Sequence, residues 1–133
     1  MLSLIHILDF QLELPKGRLL VRGDRERLWI ALENLCYNAL SFTPPEGTVT
    51  LALRRSDLHA VVEVRDTGCG IPSEDLPHLF EQGFTRRPDG SGEGLGLYIV
   101  RTIALEHGGN VKATSQPGRG SVFSLWLPIS CEE

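Results

Sequence analysis

Long apolar runs are absent from this 133-residue chain. Nothing approaches the ~20 consecutive apolar residues that a membrane-spanning helix needs, so no membrane contact by this domain is expected. Residues 1–10 are apolar but few, and they lack both a basic leader and a small-residue cleavage site, which argues against a secretory signal. Cysteine is scarce: Cys36, Cys69 and Cys131 form no CxxC pair and cannot all pair with one another. A reducing, cytoplasmic setting is the simplest reading. His6, His59, His78 and His107 share no metal-ligand spacing with one another or with the cysteines, which argues against zinc. The thirteen Lys and Arg residues are scattered, and the net charge is −4, so no nucleic-acid surface is expected. Two phosphate-loop signatures are also missing. There is no G-x-x-x-x-G-K-[ST], and no strand immediately precedes the glycine-rich helix start, as a dinucleotide fingerprint requires.

What is present fits a single globular domain, with 41% apolar and 23% charged residues. Leu19, Leu20 and Val21 predict a short strand within residues 16–22. Gly23 offers a turn and Asp24 a helix N-cap. Leu28, Leu32, Leu35 and Ala39 recur at spacings of three and four, so a helix with one inward face follows, until Pro44 and Pro45 stop it after Asn38. Asn34 and Asn38 lie one turn apart and off that leucine line. Asn is a mediocre helix former, so the pair reads either as a polar outer face or as a site for a polar ligand.

Residues 48–55 and 58–66 alternate apolar and polar around Ser56 and Asp57, which predicts an antiparallel hairpin. It ends in Asp66-Thr67-Gly68-Cys69-Gly70-Ile71. An isolated Asp-x-Gly-x-Gly describes an Asp capping a tight turn as well as it describes a ligand loop. Gly68 and Gly70 imply that the backbone turns where a side chain would collide, with neighbouring chain or with something bound. Cys69 between them is expected to be an inert filler. Ser73 and Glu74 open a short helix through Leu76, Leu79 and Phe80, and a mobile loop is expected beyond it. Gly92, Gly94 and Gly96, with Leu95 and Leu97, then lead into a helix over residues 98–107. Such a loop exposes backbone N–H groups beside a positive helix end, which suits phosphate. Gly108 and Gly109 cap that helix, and residues 110–115 and 121–127 predict a closing hairpin.

Taken in order, these elements resemble the catalytic ATP-binding domain of bacterial sensor histidine kinases, within the superfamily that includes gyrase, Hsp90 and MutL. The resemblance runs over about residues 16–128. Residues 34–39 resemble the asparagine box, 66–71 the first glycine box, 79–84 the phenylalanine box, 92–97 the second glycine box and 118–123 the last glycine motif. Five ordered motifs are far more specific than any one of them. The resemblance implies a Bergerat-type two-layer α/β (α+β) sandwich: a mixed, largely antiparallel sheet with helices on one face. It divides the chain into a segment 1–15 outside the domain, the domain itself at 16–128 and a tail at 129–133.

The cofactors implied are ATP and Mg²⁺. Asp66, with Gly68, Gly70 and Ile71, would read adenine; Asn38 would ligate the metal, with Asn34 beside it as the second catalytic amide. Gly92, Gly94, Leu95, Gly96 and Leu97 would wrap the phosphates, Phe80 and Phe84 would anchor a lid over residues 83–91, and Ser121 would complete the pocket. A Glu at the Asn34 position activates water in the hydrolysing relatives. An amide cannot take a proton, which favours phosphoryl transfer. The partners implied are a His-bearing dimerisation domain, outside this chain, and a response regulator downstream.

Three features depart from the pattern. Ser41 replaces a usual Lys or Arg, Glu93 stands where a small neutral residue is common, and His6 lacks the neighbours of a phosphoacceptor. Arg86 or Arg87 could replace the missing cation, or be plain solvated charges. An anti-sigma-type serine kinase and a non-catalytic ATP-binding or interaction module are the alternative readings.

Overall fold

The computed structural model describes residues 9–84 and 96–130. Its elements in chain order are β1 (Asp9–Glu13), α1 (Arg25–Phe42), β2 (Thr48–Ser56), β3 (His59–Asp66), a single 3-10 turn (Leu76–His78), α2 (Gly96–Glu106), β4 (Asn110–Gln116) and β5 (Gly120–Pro128). The sheet order is β1-β2-β3-β5-β4, with β1 parallel to β2 and every other pair antiparallel. This is the expected mixed, largely antiparallel sheet.

Helix α1 starts where the Asp24 carboxylate accepts the backbone N–H groups of Glu26 and Arg27, at 3.0 and 3.2 Å. That satisfies two of the donors a helix start leaves without partners. Ala31, Leu35 and Ala39 are fully buried along one line. The helix runs one turn past Asn38, to Phe42, where the Thr43 hydroxyl donates to the Ala39 carbonyl at 2.7 Å and the two prolines follow. Helix α2 buries Val100, Ile103 and Ala104 against the same layer. It closes in a Schellman motif: Gly108, at φ 75°, donates to Leu105 O, and Gly109 to Ala104 O. Arg27 of α1 pairs with Glu106 at the end of α2, and Asn34 further along α1 lies beside Gly96 at the start of α2. The two helices are therefore antiparallel neighbours.

Strand alternation sends Val49, Val64, Phe123, Leu125, Leu127 and Val111 to the helix side, where they form the core with the helix residues. The other face of the sheet is closed by charge and one aromatic ring. Glu63 bridges Arg54 and Arg65. The Lys112 ammonium sits 4.3 Å from the centroid of Trp126, whose other neighbours include Arg54 and the edge of His59. Val61 is completely buried beneath this cover.

Two expectations are corrected. Residues 16–22 form no strand; Leu19, Leu20 and Val21 are half-buried, and Val21 makes only one isolated bridge, to Ile129. The edge strand is instead Asp9–Glu13, inside the segment read as lying outside the domain. All five of its residues are exposed, so it carries no burial pattern, and backbone pairing with β2 and the Arg65–Glu13 ion pair hold it. The helix expected from Ser73 shrinks to the 3-10 turn at Leu76–His78, because Pro77 has no N–H to donate to Ser73 O and its ring clashes with that carbonyl in an α-helical turn. Just beyond β5, Ile129 N–H donates to Leu58 O at 2.9 Å.

Candidate functional site

Alternation along β3 places Asp66 on the helix side, in line with Val64 and only 7% exposed. Its carboxylate is held from two directions. Oδ1 accepts Gly68 N–H at 2.9 Å, and Oδ2 accepts the Ser121 hydroxyl, also at 2.9 Å, from the start of β5. Each oxygen thus spends one acceptor site on the protein and keeps one. Asp66 and Ser121, 55 residues apart in sequence, meet because β3 and β5 pair in a register that sets them opposite each other.

The glycines that follow are demanded by the chain itself. A Cβ on Gly68 would lie 2.4 Å from Phe42 O, at the end of α1, and one on Gly70 would lie 2.4 Å from Gln116 O. Gly70 also has φ 77°, a conformation that L residues rarely adopt. The loop is then clamped to the β4–β5 turn. Gly118 N–H donates to Cys69 O at 2.7 Å, and Ile71 N–H donates to the Ser115 hydroxyl, which in turn donates to Gly120 O. Ser115 is a site-supporting residue that sequence reasoning missed; its only signal is a hydroxyl at the inward end of an alternating strand. Cys69, read as filler, is exposed.

Helix α1 runs between this loop and the start of α2. Asn34, Asn38 and Phe42 are one turn apart, about 6 Å of rise each. Phe42 O abuts Gly68, while the Asn34 side-chain oxygen lies 3.2 Å from where a Gly96 Cβ would be. Asn38 is half-buried midway between them. The Asn34 amide donates to Ile30 O at 2.9 Å, which leaves its oxygen directed at the α2 start. Leu97 packs against the core. Gly92, Gly94, Leu95, Glu93, Arg86 and Arg87, and His6, lie outside the described residues. Phe80 meets Phe123 edge-on at 6.3 Å, and Phe84 lies 6.4 Å from the His78 ring, so both aromatics pack at the root of the expected lid. Ser41 is exposed on α1.

Among the described residues, two ionisable groups depart from ordinary behaviour. Burial pushes the Cys36 thiol on α1 up. The Glu13 carboxylate, hydrogen-bonded to Arg65, raises that guanidinium further. Among the described residues no three His, Cys, Asp or Glu side chains converge on a metal site, and no helix is long and apolar enough to cross a membrane.

Two helices over one face of a five-stranded mixed sheet is the architecture of histidine kinase catalytic domains. The mycobacterial sensor histidine kinase MprB superposes with a TM-score of 0.80 at 33% identity, over 92% of this chain and 82% of that one. The full-length kinase ShkA, solved in complex with AMPPNP, superposes with a TM-score of 0.82 at 27% identity, over 92% of this chain and 26% of that one. Residues 23–130 match the model of the histidine kinase-, DNA gyrase B- and HSP90-like ATPases, and the chain belongs to that family. Among curated proteins, the sensor protein DivL of Caulobacter vibrioides is 44% identical over 109 residues, which are 82% of this chain and 14% of DivL. Such matches cover between 14% and 29% of relatives that include DivL and the sensor kinase SenX3.

Proposed function

We propose that this domain binds Mg-ATP and presents it to a histidine on a separate dimerisation domain, as in two-component signalling. The observation that carries the reading is Asp66: a buried carboxylate at the end of a strand, beside a loop that leaves no room for side chains, with one acceptor site free on each oxygen. An ionised carboxylate accepts the adenine amine and repels the guanine carbonyl. Family membership supports ATP as the nucleotide.

The residues also fit the metal. Mg²⁺ keeps several waters and is held largely by phosphate oxygens, so one amide oxygen, that of Asn38, suffices from the protein. When bound, it would neutralise charge on the phosphates. The chain's own contribution is positional. Asn34 turns its oxygen to the α2 start, whose N–H groups and positive dipole end suit phosphate. Being an amide, it takes no proton and activates no water. Transfer then consists of in-line attack by an imidazole nitrogen on the γ-phosphorus, forming N–P as the bond to the β-phosphate oxygen breaks and ADP leaves. A response regulator would receive the phosphoryl group next, and a cytoplasmic setting follows from the nucleotide.

Calorimetric titration with Mg-ATP and Mg-GTP tests the binding step. ATP affinity with no GTP affinity is expected, and absence of ATP binding defeats the proposal. Addition of a His-bearing helical hairpin from a sensor kinase, followed by assay for acid-labile phosphate, tests the transfer. An acid-stable phosphoserine would favour the serine-kinase alternative.

A further inference from the structure

At the end of the helix pair away from Gly96, one side chain joins the two helices. His107, the residue after α2, accepts the backbone N–H of Asp24 on Nε2 at 3.0 Å, and its Nδ1 lies 2.8 Å from Ile103 O. These partners dictate the tautomer. A backbone N–H only donates and a carbonyl only accepts, so Nδ1 carries the proton and Nε2 is bare. Gly23 is shaped to this ring: a Cβ there would lie 2.3 Å from His107 Cδ2 and 2.6 Å from Nε2. Any side chain at residue 23 would displace the imidazole. The charged groups around it are Arg22, Asp24, Arg27 and Glu106; Asp24 is committed to capping α1, and Arg27 to Glu106.

We infer that His107 is a positioning residue for the nucleotide site, acting as a neutral staple that sets the start of α1 against the end of α2. The geometry is that of two antiparallel rods. From Asp24 to Asn34 is ten residues and from His107 to Gly96 eleven, so each rod is about 15 Å long. The Arg27–Glu106 pair beside the staple is 42% and 45% exposed, so it is a weak tie. A shift at the stapled end is carried along both rigid helices to the place where Asn34 faces Gly96. The link to nucleotide rests on the function proposed above; the staple itself does not.

The test uses the whole chain, labelled with ¹⁵N. Long-range ¹H–¹⁵N spectra at pH 8, without nucleotide, are expected to show His107 protonated on Nδ1; a proton on Nε2 overturns the inference. Two variants separate the acceptor from the bulk of the ring. His107→Phe fills the space without an acceptor, whereas His107→Gln sets an amide oxygen where Nε2 was. The Phe variant is expected to lower the thermal midpoint by about 4 °C, as loss of one hydrogen bond does in a domain of this size. It should also move the Gly96 amide resonance and weaken Mg-ATP binding about fivefold. The Gln variant is expected to restore all three.

Equal behaviour of the two variants, or an unmoved Gly96 resonance in the Phe variant, refutes positioning. If the Phe variant does not fold, the wild-type tautomer and the Gln variant still decide. If the wild type binds no Mg-ATP, the proposed function fails, while the tautomer, the midpoints and the Gly96 resonance still judge the staple.

Discussion

Gly68 N–H and the Ser121 hydroxyl each occupy one acceptor site of Asp66, so a substitution that keeps both bonds separates its part in the fold from the base reading proposed for it. An Asn in its place still accepts from Gly68 and donates to Ser121 Oγ. Asp66→Asn is therefore expected to keep the thermal midpoint within a few degrees and to lose roughly ten- to a hundredfold in ATP affinity, the range for a hydrogen bond to a charged group. Unchanged affinity by calorimetry would remove Asp66 from base reading. Asn38→Ala is expected to make ATP binding insensitive to added Mg²⁺, and a persisting dependence would place the metal on other residues. The cysteines offer a third check. Burial raises the Cys36 thiol, so at pH 8 it holds less thiolate than an exposed cysteine, and raising the pH should speed its labelling. With Cys131→Ser as background, alkylation followed by mass spectrometry should modify the exposed Cys69 well before Cys36.

At the scale of elements, α1 depends on its cap. Asp24→Ala removes an acceptor shared by two N–H groups and is expected to cost about 1 kcal/mol, read as a lower denaturation midpoint with an unchanged slope. The cap was legible in the sequence, as were α1, both hairpins and the Schellman glycines, because each has a local cause: a capping oxygen, a period of two or of 3.6, or a required positive φ. The placement of Asp66 in the candidate site was legible for the same reason, since β3 alternation alone directs it to the face of Val62 and Val64. The remainder was not, and the cause is consistently non-local. Strand β1 is exposed throughout and joined by its backbone, while Leu19 to Val21 look like a strand but make one isolated bridge, to Ile129 just beyond β5. Gly68 and Gly70 hinted at close approach. That the approaching atoms are Phe42 O and Gln116 O is visible only once α1 and the β4–β5 turn are in place. The structural roles of Ser115 and His107 were not legible, because the partners that define them lie 44 and 83 residues away.

For the domain as a whole, the sheet order β1-β2-β3-β5-β4 places β5, the last of the described strands, in the interior. β5 pairs with β3 on one side and β4 on the other, contributes Phe123, Leu125 and Leu127 to the core, and brings Ser121 to Asp66. On a ribosome, α1, the β2–β3 hairpin and α2 can therefore be threaded out without completing either the core or the Asp66 pocket. Folding waits for residues 120–128 to emerge, and until then the inner edge of β3 is open to pairing with other chains. A chain stopped after residue 119 is expected to show no cooperative thermal transition, and a sharp one would mean that the first four strands suffice. Synthesis thus acts as a checkpoint: a nascent chain interrupted before β5 has neither the Phe123, Leu125 and Leu127 share of its core nor the Ser121 partner of Asp66.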